Sequence, residues 1–456
     1  MTGKLKPGFL WGNSVSSMQT EGAWNEGGKG LSVYDVIKAT DHTSDWKVAT
    51  DTYHRYKVDI GLMKEMGFNC YRFSISWSRV FPSGDGKINE EGVRFYERMI
   101  DELLENGIEP MICLYHFDMP LNLAEKYNGF ASRYVVDAFA AYGKAMIDRF
   151  KDKVTYWITF NEQNIFGSRV SIGGCTLPET EMLLYQINHH VFMAHAKVTN
   201  YLHEVAPNCQ IGGMIAYRLN YPATTKPEDV LATKQVDDAH NQFYLDVFTN
   251  GKYPSFILTY FNNHNCMPEM LETDDEELLR AKSDFLAFSY YASSMISAET
   301  LTEDTPLYQY DIAGKVDNPH LDATEWGWQI DPTGFRLILR DMYNRYQLPV
   351  FPIENGIGVK ETLNVEGTVD DDYRIKYHRD HIIEMKKAIL DDGVDCMGYL
   401  GWGLIDILSS QGEMKKRYGM VYVNRGEHDL RDLKRIPKKS FYWMKRVTES
   451  NGEVLD

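Results

Sequence analysis

The stretch "YWITFNEQN", residues 156–164, decides how the chain is to be read. Tyr156 to Phe160 are all aromatic or β-branched, the residue types that fit a pleated, buried surface. Asn161 and Glu162 follow at once and end the run. "VFPIENGIG", residues 350–358, is built the same way, with Glu354 closing an apolar run. Working outward from these two, strand-like runs recur near 9–12, 69–75, 110–114, 155–160, 210–215, 284–289, 349–353 and 396–402. Longer amphipathic stretches lie between them. Asn89 predicts a helix cap ahead of Val93, Tyr96, Ile100 and Leu103 on one face, with Gly107 closing the helix. Ser132 predicts another cap ahead of Val135, Phe139, Tyr142, Met146 and Phe150, and Ile187, Val191, Ala194, Val198 and Leu202 mark a third helix.

Eight strands alternating with helices, and no Pro/Gly/Ser-rich linker, predict the α/β class. The expected architecture is one (β/α)8, or TIM, barrel domain over residues 1–456, with loop insertions at its C-terminal face. A doubly wound sheet is the weaker alternative. No GxGxxG follows a strand, and Glu26-Gly27-Gly28-Lys29-Gly30 lacks phosphate-loop spacing. Barrel sites sit at the carboxyl ends of strands, where Glu162 and Glu354 stand. A pair of carboxyls there suits glycoside hydrolysis, one protonating the leaving oxygen and the other acting ionised. The plainer reading is that each carboxylate caps the next helix.

The net charge of −17 argues against nucleic acid and an anionic membrane surface as partners. Residues 1–10 carry no apolar core of a signal peptide, and no apolar run reaches 18 residues, so neither a leader nor a membrane span is expected. None of the six cysteines forms a CxxC pair, which fits a reduced, cytoplasmic protein. His189, His190 and His195 cluster without the H-E-x-x-H spacing of a metal site and are expected to be partly buried helix residues; no metal is expected. The acidic runs 274–277 and 370–372 are expected to be solvated loops or helix starts.

The segments "FLWGNSVSSMQTEGAWNEGGKGLSVYD", "YRFSISWSRVFP", "YHFDMP", "TFNE", "DFLAFSYYASS", "IENG" and the Trp402 region occur in that order. Together they resemble glycoside hydrolase family 1, the β-glucosidase family, essentially end to end. The resemblance implies a retaining barrel enzyme without a cofactor. It implies that Glu162 is the general acid/base and Glu354 the nucleophile. Asn161 would donate to the sugar 2-hydroxyl, and Gln19 and His116 would hold the 3- and 4-hydroxyls. Arg72 and Tyr291 would support the nucleophile, and Trp402 would lie under the ring. Arg72 is expected to lower the Glu354 pKa, and an ionised Glu354 to raise that of Glu162. Trp328 is expected at the aglycone mouth, where core is the alternative. Two positions depart from the family: Gln163 stands where Pro is usual, and Phe117 where Trp is frequent.

A third departure bears on substrate. β-Glucosidases of this family carry a Glu for the 4- and 6-hydroxyls where "WGLIDILSS", residues 402–410, places Ser409. The run continues as "SSQGEMKKRYGMVYV", residues 409–423. Ser409, Lys416 and Tyr418 resemble the phosphate-binding residues of the 6-phospho-β-glucosidase subgroup. A hydroxyl, an ammonium and a phenol make a reasonable phosphate seat. A small residue at Ser410, where the phospho-galactosidase branch often has Trp, resembles the phospho-glucosidase branch. The implied substrate is a small phosphorylated β-glucoside. The alternatives are 6-phospho-β-galactosidase, β-glucosidase on unphosphorylated sugar, and a non-catalytic carbohydrate-binding barrel. A homo-oligomer is left open.

Overall fold

The computed structural model describes residues 4–456. Its centre is an eight-stranded parallel sheet: β1 (Leu10–Ser14), β2 (Cys70–Ser74), β3 (Glu109–Tyr115), β4 (Tyr156–Phe160), β5 (Gln210–Ala216), β6 (Phe285–Tyr290), β7 (Val350–Asn355) and β8 (Gly398–Trp402). Each strand pairs with its neighbour in sequence, and β1 pairs with β8. β7 pairs with β6, and a Val350–Cys396 bridge beside β8 closes the ring. All eight runs read from the sequence are strands here, displaced by a residue or two at their ends.

The lumen is a compact apolar plug. Cys70, Met111, Cys113, Ile158, Met214, Phe285, Ala287, Phe351, Ile353 and Leu400 fill it from seven strands. Gly12 on the remaining strand cannot contribute, because a Cβ there would stand 1.8 Å from the Cys70 carbonyl oxygen. β1 therefore lies hard against β2 only with glycine at this position. The expected helices pack outside the ring. Asn89 caps Glu90–Glu105 by accepting from the Glu91 amide, and Ser132 caps Arg133–Phe150 by accepting from the Tyr134 amide. Glu181–Val205 is the third. A small sheet of 219–222, 293–296 and 315–316 adds to the loops after β5 and β6.

Both acidic runs are helix starts, one of the two expected forms, but each carries one acid that is not solvated. Asp274 starts a helix but is buried, pairing with Arg133 and His189 at 2.8 Å. Asp371 is buried too, bound to Arg374 and Ser440. The three histidines are fully buried rather than partly so, each with a local partner: Asp274 for His189, the Phe130 carbonyl for His190 and Thr159 for His195.

Candidate active site

Strand periodicity delivers most of the site. Alternate residues face the same side, so the lumen positions Phe285 and Ala287 continue into Ser289 and Tyr291 at the mouth. In the same way Cys70 continues into Arg72, and Leu400 into Trp402. β7 breaks the rule. Phe351 and Ile353 face the lumen, so Glu354 should turn away. A bulge between Pro352 and Glu354 shifts the register and brings Glu354 back to the mouth. Glu162 is turned in by a left-handed residue at its own position, φ 42°, which starts the 3-10 turn Gln163–Gly167. A non-glycine residue held there costs on the order of 1 kcal/mol.

Each carboxyl has donors of its own. Arg72 Nη1 donates to Glu354 Oε1 at 2.5 Å, and its Nη2 donates to Asn161 Oδ1 at 2.6 Å. The Tyr291 hydroxyl donates to Glu354 Oε2 at 2.9 Å, and Ser289 Oγ donates to Glu162 Oε1 at 2.5 Å. Burial pushes Glu354 up to about 7; Arg72 pulls down, the Glu162 carboxylate pushes up, and Tyr291 pulls down. Arg72 thus acts in the expected direction, but the dry pocket outweighs it. Burial raises Glu162 as well, against Ser289, Arg72 and Arg218. Burial thus disfavours charge on both carboxyls, and the push of Glu162 on Glu354 couples the pair. Glu354 accepts from a guanidinium and a phenol, Glu162 from a single serine. Hydrogen bonding therefore favours the charge on Glu354 and the proton on Glu162.

Around this pair stand the other expected residues. Asn161 is buried, with its oxygen bound to Arg72 and its amide nitrogen left to donate. Gln19 bridges outward, donating to the Leu408 carbonyl at 2.6 Å and accepting from Ser16. His116 stacks on Trp402 with ring centroids 5.6 Å apart. Burial, helped by Arg72, lowers the His116 pKa well below its usual value, so the ring is neutral and can accept as well as donate. Phe117 has φ 71° and lines the cleft where the family often has Trp.

The three basic residues of 415–417 take separate paths. Lys415 reaches Glu413 at the surface. Arg417 is buried and pairs with Asp406 at 2.8 Å. Lys416 is 6% exposed and makes no ion pair among the described residues. Its ammonium lies 3.8 Å from the Trp328 ring centroid, 5.0 Å from that of Trp326 and 5.7 Å from that of Tyr418. Burial pushes it down to about 8, against Glu413 and Glu325. Ser409 Oγ accepts from the Gln411 and Glu413 amides, which leaves its proton to donate.

The loop bearing Lys416 is tied to the loop that follows Glu354. Val359 and Arg417 exchange backbone hydrogen bonds, both 3.0 Å. A Cβ at Gly358 would stand 2.8 Å from Lys416 Cγ and 3.0 Å from both Lys416 Cε and Tyr418 Cζ, so glycine lets the lysine lie flat. Beneath, Arg374 Nη1 donates to the Ile357 and Tyr418 carbonyls while the guanidinium pairs with Asp371 and Glu361. Lys438 joins Glu361 to Asp406, completing a buried network of alternating charge with Arg417.

Two clefts, of about 510 and 630 Å³, open outward and meet at Glu162. Trp328 lines the first, Ser410 the second, and Arg169 and Arg218 line both. The sequence offered no signal for these two arginines, which lie in irregular segments after β4 and β5. Trp326 is half-buried against Lys360 and Lys416.

Comparison with known proteins fits this geometry. The model of glycosyl hydrolase family 1 matches residues 1–453. An aryl-phospho-β-D-glucosidase of Bacillus subtilis is 44% identical, covering 99% of both chains. A 6-phospho-β-glucosidase of Escherichia coli is 42% identical, covering 98% of both. Among solved structures, the β-glucosidase from Thermotoga maritima in complex with castanospermine superposes with a TM-score of 0.87 at 32% identity, over 98% of this chain and 99% of that one.

Proposed function

The chain belongs to glycosyl hydrolase family 1, and from that premise we propose that it hydrolyses 6-phospho-β-D-glucosides with retention, releasing glucose 6-phosphate and an aglycone. One observation carries the phosphate: an unpaired ammonium, Lys416, sits in an aromatic cage on the loop tied to that of Glu354. Ser409, on the same segment, stands where a carboxylate would repel the anion. Tyr418 supplies a phenol on the same segment, with its ring near the Lys416 ammonium. The names of similar proteins support the same substrate class.

Glu162 gives its proton to the glycosidic oxygen as the Glu354 carboxylate attacks the anomeric carbon, forming a glycosyl ester and freeing the aglycone. The ester carries no charge, so Glu162, now a carboxylate, takes a proton from the water that attacks the same carbon. The second displacement restores Glu354. Arg72 and Tyr291 hold Glu354 ionised and aimed. Asn161, Gln19 and His116 orient the sugar hydroxyls over Trp402. Ser410 is exposed and small, leaving room for an equatorial 4-hydroxyl and favouring the gluco sugar. The cytoplasm is the expected place for a sugar phosphorylated on uptake, and all six cysteines are buried and unpaired.

The test compares kcat/KM for an aryl β-glucoside and its 6-phosphate. The phosphate should be strongly preferred, and a preference for the neutral sugar overturns the proposal. Ser409→Glu should reverse the order. A carboxylate about 4 Å from one unit of phosphate charge costs on the order of 4 kcal/mol at an effective dielectric of about 20, roughly a thousandfold in binding.

A further inference from the structure

We propose that the leaving-group side of the cleft takes a flat aromatic aglycone bearing its own negative charge, and that Arg169 selects it. The inference rests on the hydrolytic reading above for which side of Glu162 the leaving group occupies. Of the residues placed around the sugar, its phosphate and the nucleophile, Glu354, Trp402, Ser409 and Lys416 line neither of the two clefts that meet at Glu162, and Ser410 and Tyr291 mark where each cleft adjoins the sugar side. Both clefts therefore lie outward of the carboxyl pair, where the bond to the aglycone is broken.

Two observations define what fits there. The larger cleft has a wall of Val33, Tyr34, Ile37, Trp46, Phe117 and Ile172, an apolar surface suited to a planar ring. Arg169 and Arg218 line both clefts together with Glu162. Arg218 is already engaged by Asp311 and by Ser168. Arg169 is exposed and makes no ion pair among the described residues. In the smaller cleft Lys315 adds a third cation, against only Glu162 and Asp311. Glu162 is uncharged when poised as the acid. On a chain of net charge −17, this mouth is locally cationic and would attract an anion. A free guanidinium next to an apolar wall matches a carboxylate on an aromatic ring, since its planar fork can hold both oxygens.

Arg169 could instead only steer the sugar phosphate toward the site, and the test separates the two. The substrates are 4-carboxyphenyl and 4-carbamoylphenyl β-D-glucoside 6-phosphate, which differ in aglycone charge and little in shape. The readout is the ratio of their kcat/KM values, compared between wild type and Arg169→Gln, Arg169→Lys and Arg169→Glu, so leaving-group differences cancel. Arg169→Gln should lower the ratio about fivefold, the scale of a partly solvated ion pair. Arg169→Glu should lower it further, Arg169→Lys least, and raised ionic strength should shrink the wild-type ratio. A ratio unchanged in Arg169→Gln, even if both substrates slow together, overturns the proposal. If wild type cleaves neither phosphate but cleaves the unphosphorylated pair, the phosphate reading fails, and the same ratio on that pair still decides Arg169.

Discussion

Replacing Lys416 by methionine separates what its ammonium gives to binding from what it takes from the fold. A sugar phosphate carries about −1.5 to −2 charge near neutral pH. One unit of that charge about 4 Å from the ammonium is worth on the order of 4 kcal/mol at an effective dielectric of about 20. Solvent at the cleft mouth reduces this, so the ratio of kcat/KM for the 6-phosphate over the neutral glucoside should fall by roughly a hundredfold to a thousandfold. Burial lowers Lys416 from 10.5 to about 8, so in wild type the ratio should itself decline as pH rises through about 8. The kcat limb should lie higher, because bound phosphate favours the ammonium. The sign for stability is opposite to that of an ordinary lysine pair. The folded chain binds this proton more weakly than the unfolded chain, so Lys416 destabilises below about 8 and the penalty is gone above 10.5. Attraction to the rings, about 1–2 kcal/mol, offsets part of that cost. Lys416→Met should therefore stabilise the protein at pH 7 by about 1 kcal/mol, a rise in Tm of roughly 1–3 °C. A substrate ratio that ignores the substitution, or that stays flat from neutral to alkaline pH in wild type, refutes the reasoning.

Glu354→Ala should abolish glycosyl-enzyme formation, whereas Glu162→Ala should retain the first step on a dinitrophenyl substrate, seen as a burst in stopped flow; equal loss in both variants would reverse the assignment. Gly358→Ala should raise KM for the phosphate by lifting Lys416 while changing Tm little; an unaltered KM would show that the lysine has another way to lie. Asp274 is pushed up by burial, but Arg133, the Leu271 amide and His189 bring it well below the usual carboxylate range. Its contribution is fully present above that range and is lost as pH falls from there through the lowered value of the folded state, so Asp274→Ala should cost about 3 kcal/mol near neutral pH, with the difference narrowing in acid unfolding curves.

The barrel was legible because its strands are short, apolar and regularly spaced, and regular spacing is what closes a ring. Glu162 and Glu354 were legible from their places at the ends of apolar runs together with the ordered motifs around them, since a strand-end carboxylate alone reads equally well as a helix cap. How each is aimed was mostly hidden: the left-handed turn at Glu162 has no mark in residue type, and the one hint of the bulge in β7 was Pro352, which cannot donate to a strand ladder. The run 415–417 raised the right question but could not be divided, since adjacent residues on an irregular loop face opposite ways by details of φ and ψ. Asp274 was legible as a helix start, but its burial was not, because its partners, Arg133 and His189, lie far away in sequence. Arg169 and Arg218 gave no signal, being single cations on unpatterned segments. The sheet of 219–222, 293–296 and 315–316 escaped because its strands have four residues or fewer.

The buried network of Arg374, Glu361, Lys438, Asp406 and Arg417 has a bearing on evolvability. It fastens the loop from below through charges that never face the sugar, so the head groups above it are free to vary. Ser409 and Lys416 can be exchanged without unpairing any member of that network. Selectivity between phosphorylated and plain sugars is then separated by very few codons, and intermediate genotypes would remain folded. A laboratory lineage selected for growth on an unphosphorylated glucoside should accumulate its first changes at these two positions while leaving Arg417, one residue away, untouched.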